Sequence, residues 1–212
     1  MSDDLRADVA GVMRELGHEF VAHELSDEQF ARFAEHLAAL RDIVAGSPPR
    51  TRAMASSFED FKMAIPEEGR HVRHQLFADS IVSGNANPMG LGATLWRQGE
   101  TAFMEVSLGK AFEGAPGRSH GGIVAALIDE TMGLVLALHD LLAFTGRLDI
   151  SYHAPTPIDT PIVARAWLDH RDGRKLRLVS SVTANDVEVA SAKALFIAVD
   201  PERFLARHAL ES

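Results

Sequence analysis

The chain has 212 residues, 46% of them hydrophobic and 24% charged, which is typical of a soluble globular protein with a sizeable core. The net charge of -9 argues against a nucleic-acid partner, because phosphate backbones select basic surfaces. The absence of cysteine excludes a disulfide scaffold, a cysteine nucleophile and thiolate metal sites. The acidic start, residues 1–4, lacks a signal-peptide pattern, and the sequence has no run of about 18 apolar residues, so we expect a cytoplasmic protein without a membrane span.

Residues 1–79 are predicted to form a helical N-terminal extension. Apolar residues recur at helical spacing in two stretches between residues 3 and 45. Ser26, with Gln29 three residues later, is typical of a capping box at the start of the second helix. Gly46-Ser47-Pro48-Pro49 ends that helix and begins a linker. The pattern leaves open whether the helices cover a ligand tunnel, extend a subunit interface or only bury apolar surface.

After the turn-rich stretch 83–90, the period of the apolar residues changes. Two strands are predicted over 93–96 and 101–108, then an almost uniformly apolar helix over 123–138, then four strands over 146–153, 161–170, 176–183 and 187–199. A single apolar helix buries most of its surface only on the concave face of a curved sheet. The sequence therefore predicts an α+β hotdog fold over 80–200, a curved antiparallel β-sheet wrapped around one long central helix, followed by a short C-terminal helix or tail over 201–212.

Three stretches resemble one family. "EGAPGRSHGGIVAALIDETMG", residues 113–133, resembles the signature of the PaaI-like branch of hotdog-fold acyl-CoA thioesterases, and within it the subgroup of thioesterase superfamily members 4 and 5, which also carry Gly-x-Pro-Gly before His-Gly-Gly. "TGRLDISYHAPTP", residues 145–157, is similar to the family's next strand, and "SGNANPMGLG", residues 83–92, to the turn that begins its fold. The resemblance implies hydrolysis of an acyl-CoA thioester to free acid and CoA, with no metal and no cofactor apart from the CoA of the substrate.

The turn His120-Gly121-Gly122 stands at the start of the predicted central helix. Free backbone N–H groups and the positive end of the helix dipole suit a carbonyl oxygen that gains negative charge. The resemblance implies that the Gly121 N–H polarises the thioester carbonyl and that His120 shapes the turn and touches the thioester. Gly122 lets the substrate approach the backbone closely. The alternative is a glycine-lined packing contact between helix and sheet.

Hydrolysis also needs a carboxylate that acts as general base or nucleophile. The resemblance assigns this role to Asp129, with Glu130 as the less favoured acid, and places the hydroxyl of Thr145 near the attacking water. Asp129 follows Gly121 by eight residues, which is roughly 12 Å along a helix axis. One helix cannot present both groups to one carbonyl. We therefore expect Asp129 of one subunit to face the Gly121 turn of another, in a homodimer or a dimer of dimers (a homotetramer).

Cationic and polar residues in two loops are candidates to bind the substrate. Arg118 and Ser119 precede the helix, and Arg174 and Lys175 lie with Arg171 at a predicted hairpin. Arginine and lysine are apt partners for the phosphates of CoA. The alternative is that these charged side chains only face water, as those of most charged hairpins do.

One position departs from the family pattern, since Gly114 stands where many PaaI-like members carry Asn or Gln that helps to position the thioester or the water. His71 and His74 have helical spacing, but the absence of an accompanying Glu or Cys pattern argues against a metal site. Two other functions stay open: a non-catalytic acyl-CoA-binding or scaffold protein, and an acyl-thioester dehydratase or hydratase. The sequence does not determine the acyl group.

Overall fold

The computed structural model describes residues 2–50, 65–72, 78–202 and 204. Three long helices lie within them: α1 (Ser2–Ala22), α2 (Asp27–Ala45) and α3 (Gly121–Leu138). The six strands are β1 (Thr94–Gln98), β2 (Thr101–Ser107), β3 (Ala143–Tyr152), β4 (Pro161–Asp172), β5 (Lys175–Ala184) and β6 (Val187–Ala198), and a 3-10 turn occupies Lys110–Phe112. Of the predicted C-terminal helix, residues 201, 202 and 204 are helical, and most of the rest lies outside the described residues.

The strands form one antiparallel sheet in the order β1-β2-β4-β5-β6-β3. Its tight turns follow from turn-forming residues: Asn185 and Asp186, at φ of 49° and 64°, close the β5–β6 hairpin, and Gly173, at φ of 56°, begins the two-residue β4–β5 turn. Strand β3 does not pair with β4, which follows it in the chain, but with β6, so β3 forms one edge of the sheet. The predicted hotdog fold is confirmed, while this strand order was not derivable from the alternating pattern.

Helix α3 lies against β2, β3, β4 and β5. Its apolar residues fill the space between helix and sheet, and burying each large one stabilises the fold by about 1.5–3 kcal/mol. The largest buried side chains at this contact are Leu127, Ile128, Met132, Met104, Ile162, Leu176 and Leu178. The packing therefore fixes α3 relative to the sheet, and with it the positions of the residues along α3.

The composition of α3 corrects one expectation from the sequence. With 18 residues and a mean hydropathy of 1.7, α3 meets the length and composition of a membrane span despite Asp129 and Glu130. Half of that stretch is buried inside the fold, and its contacts with four strands account for its apolar character.

Helices α1 and α2 lie in the predicted extension of residues 1–79, of which 51–64 and 73–77 lie outside the described residues. Ser26 caps α2 as a complete capping box, with the Gln29 side chain accepting from the Ser26 N–H. The two helices meet through Phe20, which stacks on Phe33 at 5.3 Å. Their apolar stripes are largely exposed rather than buried; Ala10 of α1 is the buried exception at 3% exposure, and α2 has no buried residue.

Candidate active site

The first turn of α3 is built around His120, which is its N-cap residue. The His120 backbone is extended, and its Nδ1 accepts a hydrogen bond from the Gly122 N–H at 3.0 Å. This contact satisfies one of the helix N–H groups that have no partner within the helix. An imidazole that accepts at Nδ1 carries its proton on Nε2 when neutral, so the exposed His120 ring presents a donor to a ligand.

The backbone of Gly121 is held from one side and open on the other. The Tyr152 hydroxyl donates to the Gly121 carbonyl at 2.7 Å, and a Cβ at Gly121 would lie 3.2 Å from that hydroxyl oxygen. Burial raises the pKa of Tyr152, so the hydroxyl remains protonated and remains a donor. Among the described residues, none accepts a hydrogen bond from the Gly121 N–H. Sequence reasoning had no role for Tyr152, although the family resemblance of residues 145–157 pointed to its strand.

The glycine-rich loop before α3 is ordered by its own polar groups. The Glu113 carboxylate accepts from the Gly117 N–H and from Lys110 Nζ. The hydrogen bond from Gly117 and the neighbouring Lys110 hold the pKa of Glu113 below its ordinary value. The Ser119 N–H donates to the Thr156 carbonyl at 2.8 Å, which ties the loop to the segment before β4.

The structure gives a reason for the departure at Gly114. A Cβ there would lie 3.0 Å from His120 Cα and 3.3 Å from His120 Cβ. These separations are tighter than most real Cβ contacts, so a larger side chain would have to displace the N-cap residue of α3. Glycine at this position is therefore part of how the loop seats His120, and it supplies no side chain toward a substrate.

Asp129 lies on α3 beside the edge strand β3. Its Oδ1 accepts a hydrogen bond from Thr145 Oγ1 at 2.8 Å. The β3–β6 pairing shifts register between Thr145 and Arg147, so an irregularity at Gly146 orients Thr145 toward the helix. Asp129 is half-buried and Thr145 is exposed, which leaves their shared hydrogen bond accessible from the edge of the sheet.

Glu130 points to a different part of the molecule. Its carboxylate accepts from Ser80 Oγ at 2.6 Å and from the Ser83 N–H at 3.0 Å, and the Ser83 hydroxyl makes a further short contact. Ser83 is fully buried. Glu130 thus fastens the loop of residues 78–92 (the 78–92 loop) to α3, and its hydrogen bonds within the described part of the chain are all with that loop. The geometry favours Asp129 as the acid that is available for chemistry.

The two halves of the predicted site lie at opposite ends of β3. Tyr152, at the end of β3, bonds Gly121, whereas Thr145, near its start, bonds Asp129. The strand between them spans roughly 20 Å at about 3.3 Å per residue. The structure therefore does not bring Gly121 and Asp129 of one chain to a single carbonyl, in agreement with the helical spacing.

The predicted cationic residues also fall into two places. Arg171 and Arg174 line an open groove of about 500 Å³ with Asp200 and Phe204, whereas Lys175 is exposed beside it. The backbone of Arg118 pairs with that of Pro157 in an isolated β-bridge just before β4. Arg171 lies near the other end of β4. Along a strand of this length the separation is roughly 30 Å. Within one chain, Arg118 and Arg174 cannot share a phosphate.

Of the two histidines at helical spacing, His71 and His74, the structure shows a packing role for His71. The His71 ring stacks on Trp96, with centroids 4.2 Å apart and an interplanar angle of 8°. His74 lies outside the described residues. His71 is therefore engaged in packing on β1.

Comparison with known proteins places the chain in a family. The sequence profile described as Thioesterase superfamily matches residues 116–190, which include the turn of α3, Asp129 and Thr145. Acyl-coenzyme A thioesterase THEM4 of Mus musculus is 36% identical over 97 residues, or 45% of this chain and 42% of the mouse protein. This chain thus matches less than half the length of that relative.

Two further similarities extend over more of the chain. Acyl-coenzyme A thioesterase THEM4 of Bos taurus is 30% identical over 165 residues, which cover 74% of this chain and 67% of the bovine protein. A crystal structure of a thioesterase superfamily protein superimposes with a TM-score of 0.75 over 91% of this chain and 90% of that chain, at 22% identity, and supports the fold. On the profile match and the bovine relative, the chain belongs to the thioesterase superfamily.

Proposed function

We propose that this protein hydrolyses an acyl-CoA thioester to the free acid and CoA. The observation that carries the proposal is the pairing of an accessible carboxylate, Asp129 with Thr145, with a helix N-terminus whose Gly121 N–H has no acceptor among the described residues. The relatives named as acyl-coenzyme A thioesterases support the substrate class. In this scheme Asp129, Gly121, His120 and Thr145 act on the thioester, and Gly122, Arg118, Ser119, Arg174 and Lys175 contribute to binding.

The chemistry divides between the two halves of the site. The Gly121 N–H donates to the thioester oxygen, which gains negative charge as a nucleophile adds to the carbonyl carbon. If Asp129 acts as base, it takes a proton from water as the water oxygen forms the new C–O bond, and collapse of the adduct breaks the C–S bond and releases CoA thiolate, which is then protonated. If Asp129 is the nucleophile, its carboxylate oxygen bonds to the acyl carbon as the C–S bond breaks and CoA thiolate leaves to be protonated. Water then cleaves the resulting anhydride, which releases the free acid and restores the Asp129 carboxylate. In either route, the hydroxyl of Thr145 orients the Asp129 carboxylate.

A second copy of the chain completes the site through β3. This strand is ten residues long, forms an edge of the sheet, and is exposed over most of its length. Leu148 and Ile150 face the core. We consider two β3 strands paired antiparallel, with the core-facing residues of one strand opposite the core-facing residues of the other. This register places Leu148 opposite Ile150 of the partner subunit and centres the two-fold axis on Asp149.

The same register joins the two half-sites. The irregularity at Gly146 adds one residue to β3, so Thr145 comes opposite Tyr152 of the partner subunit. Paired strands lie about 4.8 Å apart. The Thr145–Asp129 contact of one subunit then lies beside the Tyr152–Gly121 contact of the other, which is the arrangement that the hydrolysis requires.

The groove at the β4–β5 turn lies at the Asp129 end of the site. Phe144, the neighbour of Thr145 in β3, contacts Phe204 of the groove with ring centroids 5.2 Å apart. The Nε atoms of Arg171 and Arg174 donate to backbone carbonyls, which holds both guanidinium groups at the groove. In this proposal the groove takes the phosphates of CoA, while Arg118 of the partner subunit lies at the Gly121 end.

The first experiment measures hydrolysis of a panel of acyl-CoAs by the release of free thiol. Asp129→Asn should lower kcat by about a hundredfold or more, because a general base contributes roughly 10²–10⁴ in rate. Asp169→Asn, which changes an exposed carboxylate on β4, is the matched control and should keep wild-type turnover. Full activity in Asp129→Asn, with circular dichroism unchanged in both variants, would contradict the assignment. Wild-type protein that binds acyl-CoA without releasing thiol would instead favour the non-catalytic binding function.

A second experiment tests whether the site is shared between subunits. Gly121→Pro removes the polarising N–H at a helix position that tolerates proline, and Gly121→Ala adds a Cβ but keeps the N–H as its control. Chains with Gly121→Pro and chains with Asp129→Asn, each inactive alone, are co-expressed with different tags. Mixed dimers contain one intact site, so the mixture should recover about one quarter of wild-type activity if subunits assort randomly. Recovery at background level in proven mixed dimers would exclude a shared site.

A further inference from the structure

One face of α1 is turned toward the body of the fold. Ala10, Arg14 and His18 follow each other at four-residue spacing, which places them on one side of a helix. Ala10 is 3% exposed, while Arg14 and His18 are half-buried. The neighbours Val9, Val12 and Met13 are more than half exposed, so this side of α1 is the one that makes contact.

Arg14 contacts the loop that Glu130 holds. Its Nη1 donates to the Asn85 carbonyl at 3.0 Å and to the Asn87 carbonyl at 2.7 Å. Both residues belong to the 78–92 loop, whose Ser80 and Ser83 bond Glu130. Glu130 is the neighbour of Asp129 on α3. A continuous set of polar contacts therefore runs from α1 through the loop to the helix turn that bears the proposed catalytic carboxylate.

His18, one helical turn further on, contacts the other half of the site. Its Nδ1 accepts from the Ala111 N–H at 3.1 Å, and its ring lies edge-on to Phe112 with centroids 5.2 Å apart. A Cβ at Gly109 would lie 2.7 Å from His18 Nδ1, so glycine is required for this close approach. The carbonyl of Phe112 accepts from the His120 N–H at 2.9 Å, and His120 caps α3 next to Gly121.

We propose that α1 positions both half-sites of its own subunit, with Arg14 and His18 as positioning residues for Asp129 and for the Gly121 turn. The catalytic consequence rests on the proposed thioester hydrolysis, whereas the immobilisation of the two loops does not. Misplacement of a reacting group by about 1 Å can cost roughly a hundredfold in rate. Because α1 contacts the loops beside both half-sites, it can hold the Asp129 carboxylate and the Gly121 N–H of its own subunit in position, each for the site that it helps to form.

The test compares two variants with matched controls in the full chain. Arg14→Gln is paired with Arg6→Gln, an exposed arginine on the same helix, and His18→Ala with His36→Ala, an exposed histidine on α2. Hydrogen exchange of the 78–92 loop should accelerate about tenfold in Arg14→Gln, and that of residues 109–122 about tenfold in His18→Ala. Both controls should exchange like the wild type in these segments.

Turnover of acyl-CoA separates positioning from a merely structural role. Both variants should lower kcat by roughly ten- to a hundredfold with KM within about twofold, because binding groups are unchanged and only the reacting geometry is lost. Faster loop exchange with wild-type kcat, or a kcat that falls only in proportion to the unfolded fraction in urea titration, would overturn the positioning role. Wild-type exchange in both loops would overturn the contact itself. If the wild type shows no hydrolysis, the proposed function fails, and the exchange data alone decide whether α1 immobilises the two loops.

Discussion

Asp129 and Glu130 are adjacent acids on α3 with different environments, because successive residues of a helix point about 100° apart. Among the residues that the structure describes, Asp129 accepts from one hydroxyl at an accessible edge, whereas Glu130 accepts several hydrogen bonds from a loop that includes the buried Ser83. A carboxylate with all its oxygens engaged in loop contacts is poorly placed to take a proton from water. The difference lies in the partners that each side chain meets, which residue type alone does not reveal.

The contact of Thr145 with Asp129 can be tested at the level of one hydroxyl. Thr145→Val removes the donor and keeps the shape, and should lower kcat about five- to tenfold, the effect of losing one hydrogen bond of roughly 1–1.5 kcal/mol. Thr145→Ser keeps the hydroxyl and should stay within about twofold of wild type. Steady-state kinetics on one acyl-CoA measures both, and equal losses in Val and Ser variants would contradict the role of the hydroxyl.

Removing the Glu130 carboxylate should destabilise the fold. Glu130→Leu leaves the buried Ser83 N–H and hydroxyl without their acceptor, at a cost of about 1–3 kcal/mol in the free energy of unfolding. Urea unfolding monitored by tryptophan fluorescence measures the loss. The control Glu105→Gln, an exposed acid on β2, should change stability by less than about 0.5 kcal/mol. A Glu130→Leu variant as stable as the control would show that the hydrogen bonds of Glu130 with the 78–92 loop contribute nothing to the free energy of unfolding.

At the scale of elements, the loop before α3 and the helix start form one unit. Loop residues bond each other and the segment before β4, and the His120 N–H bonds the Phe112 carbonyl. The N–H of Gly121, for which the described ranges contain no acceptor, therefore lies at the start of a helix that is anchored by both the loop and Tyr152. A donor held in this way needs little reorganisation as charge develops on a substrate oxygen.

The order of this loop should depend on pH through Glu113. The folded-state pKa of Glu113 lies below its ordinary value of 4.5, so its contribution is present above pH 4.5 and is lost as pH falls through the lower folded pKa. Exchange of the amides of residues 113–119 should therefore accelerate on acidification below pH 4.5, relative to that of β5. In Glu113→Gln the acceleration should be absent, since no proton is taken up at that position. The same acid response in both proteins would rule out Glu113 as its origin.

At the scale of the whole molecule, β3 is an exposed edge strand whose outer side has no neighbouring strand among the described residues of one subunit. Long edge strands offer unpaired backbone groups to another chain. Arg147 and Asp149 form an ion pair on the outer face of β3, with Nε and Oδ2 2.8 Å apart. In the proposed dimer, Asp149 lies at the two-fold axis, so these charges meet their own copies there.

Reversing one of these charges should separate the subunits. Asp149→Arg places four guanidinium groups around the axis, and like charges on paired strands repel. Sedimentation velocity should show a monomer for this variant and the proposed dimer for the wild type, and hydrolysis should fall with the dimer although Asp129 and Gly121 are intact. Asp169→Arg, on the interior strand β4, is the control and should remain dimeric. A fully active monomer of Asp149→Arg would exclude the shared site.

The sequence by itself determined the element types, because these depend on local spacing: the helical period of α1 and α2, the capping box at Ser26 and the apolar length of α3. It also indicated, from the rise of a helix, that Gly121 and Asp129 do not meet within one subunit. Strand bounds differed by a few residues, since hydrogen bonds to a neighbouring strand extend a strand beyond its alternating pattern.

Only the tertiary structure decided which residues meet across long stretches of chain. The placement of β3 beside β6 brings Thr145 to Asp129 and Tyr152 to Gly121, and the seat of α1 brings Arg14 and His18 to two separate loops. These contacts depend on how the sheet closes around α3, and no local period encodes that. The separation of Arg118 from Arg174 along β4 has the same origin. Both side chains are cationic, but their charge alone does not determine how far apart they lie in the fold.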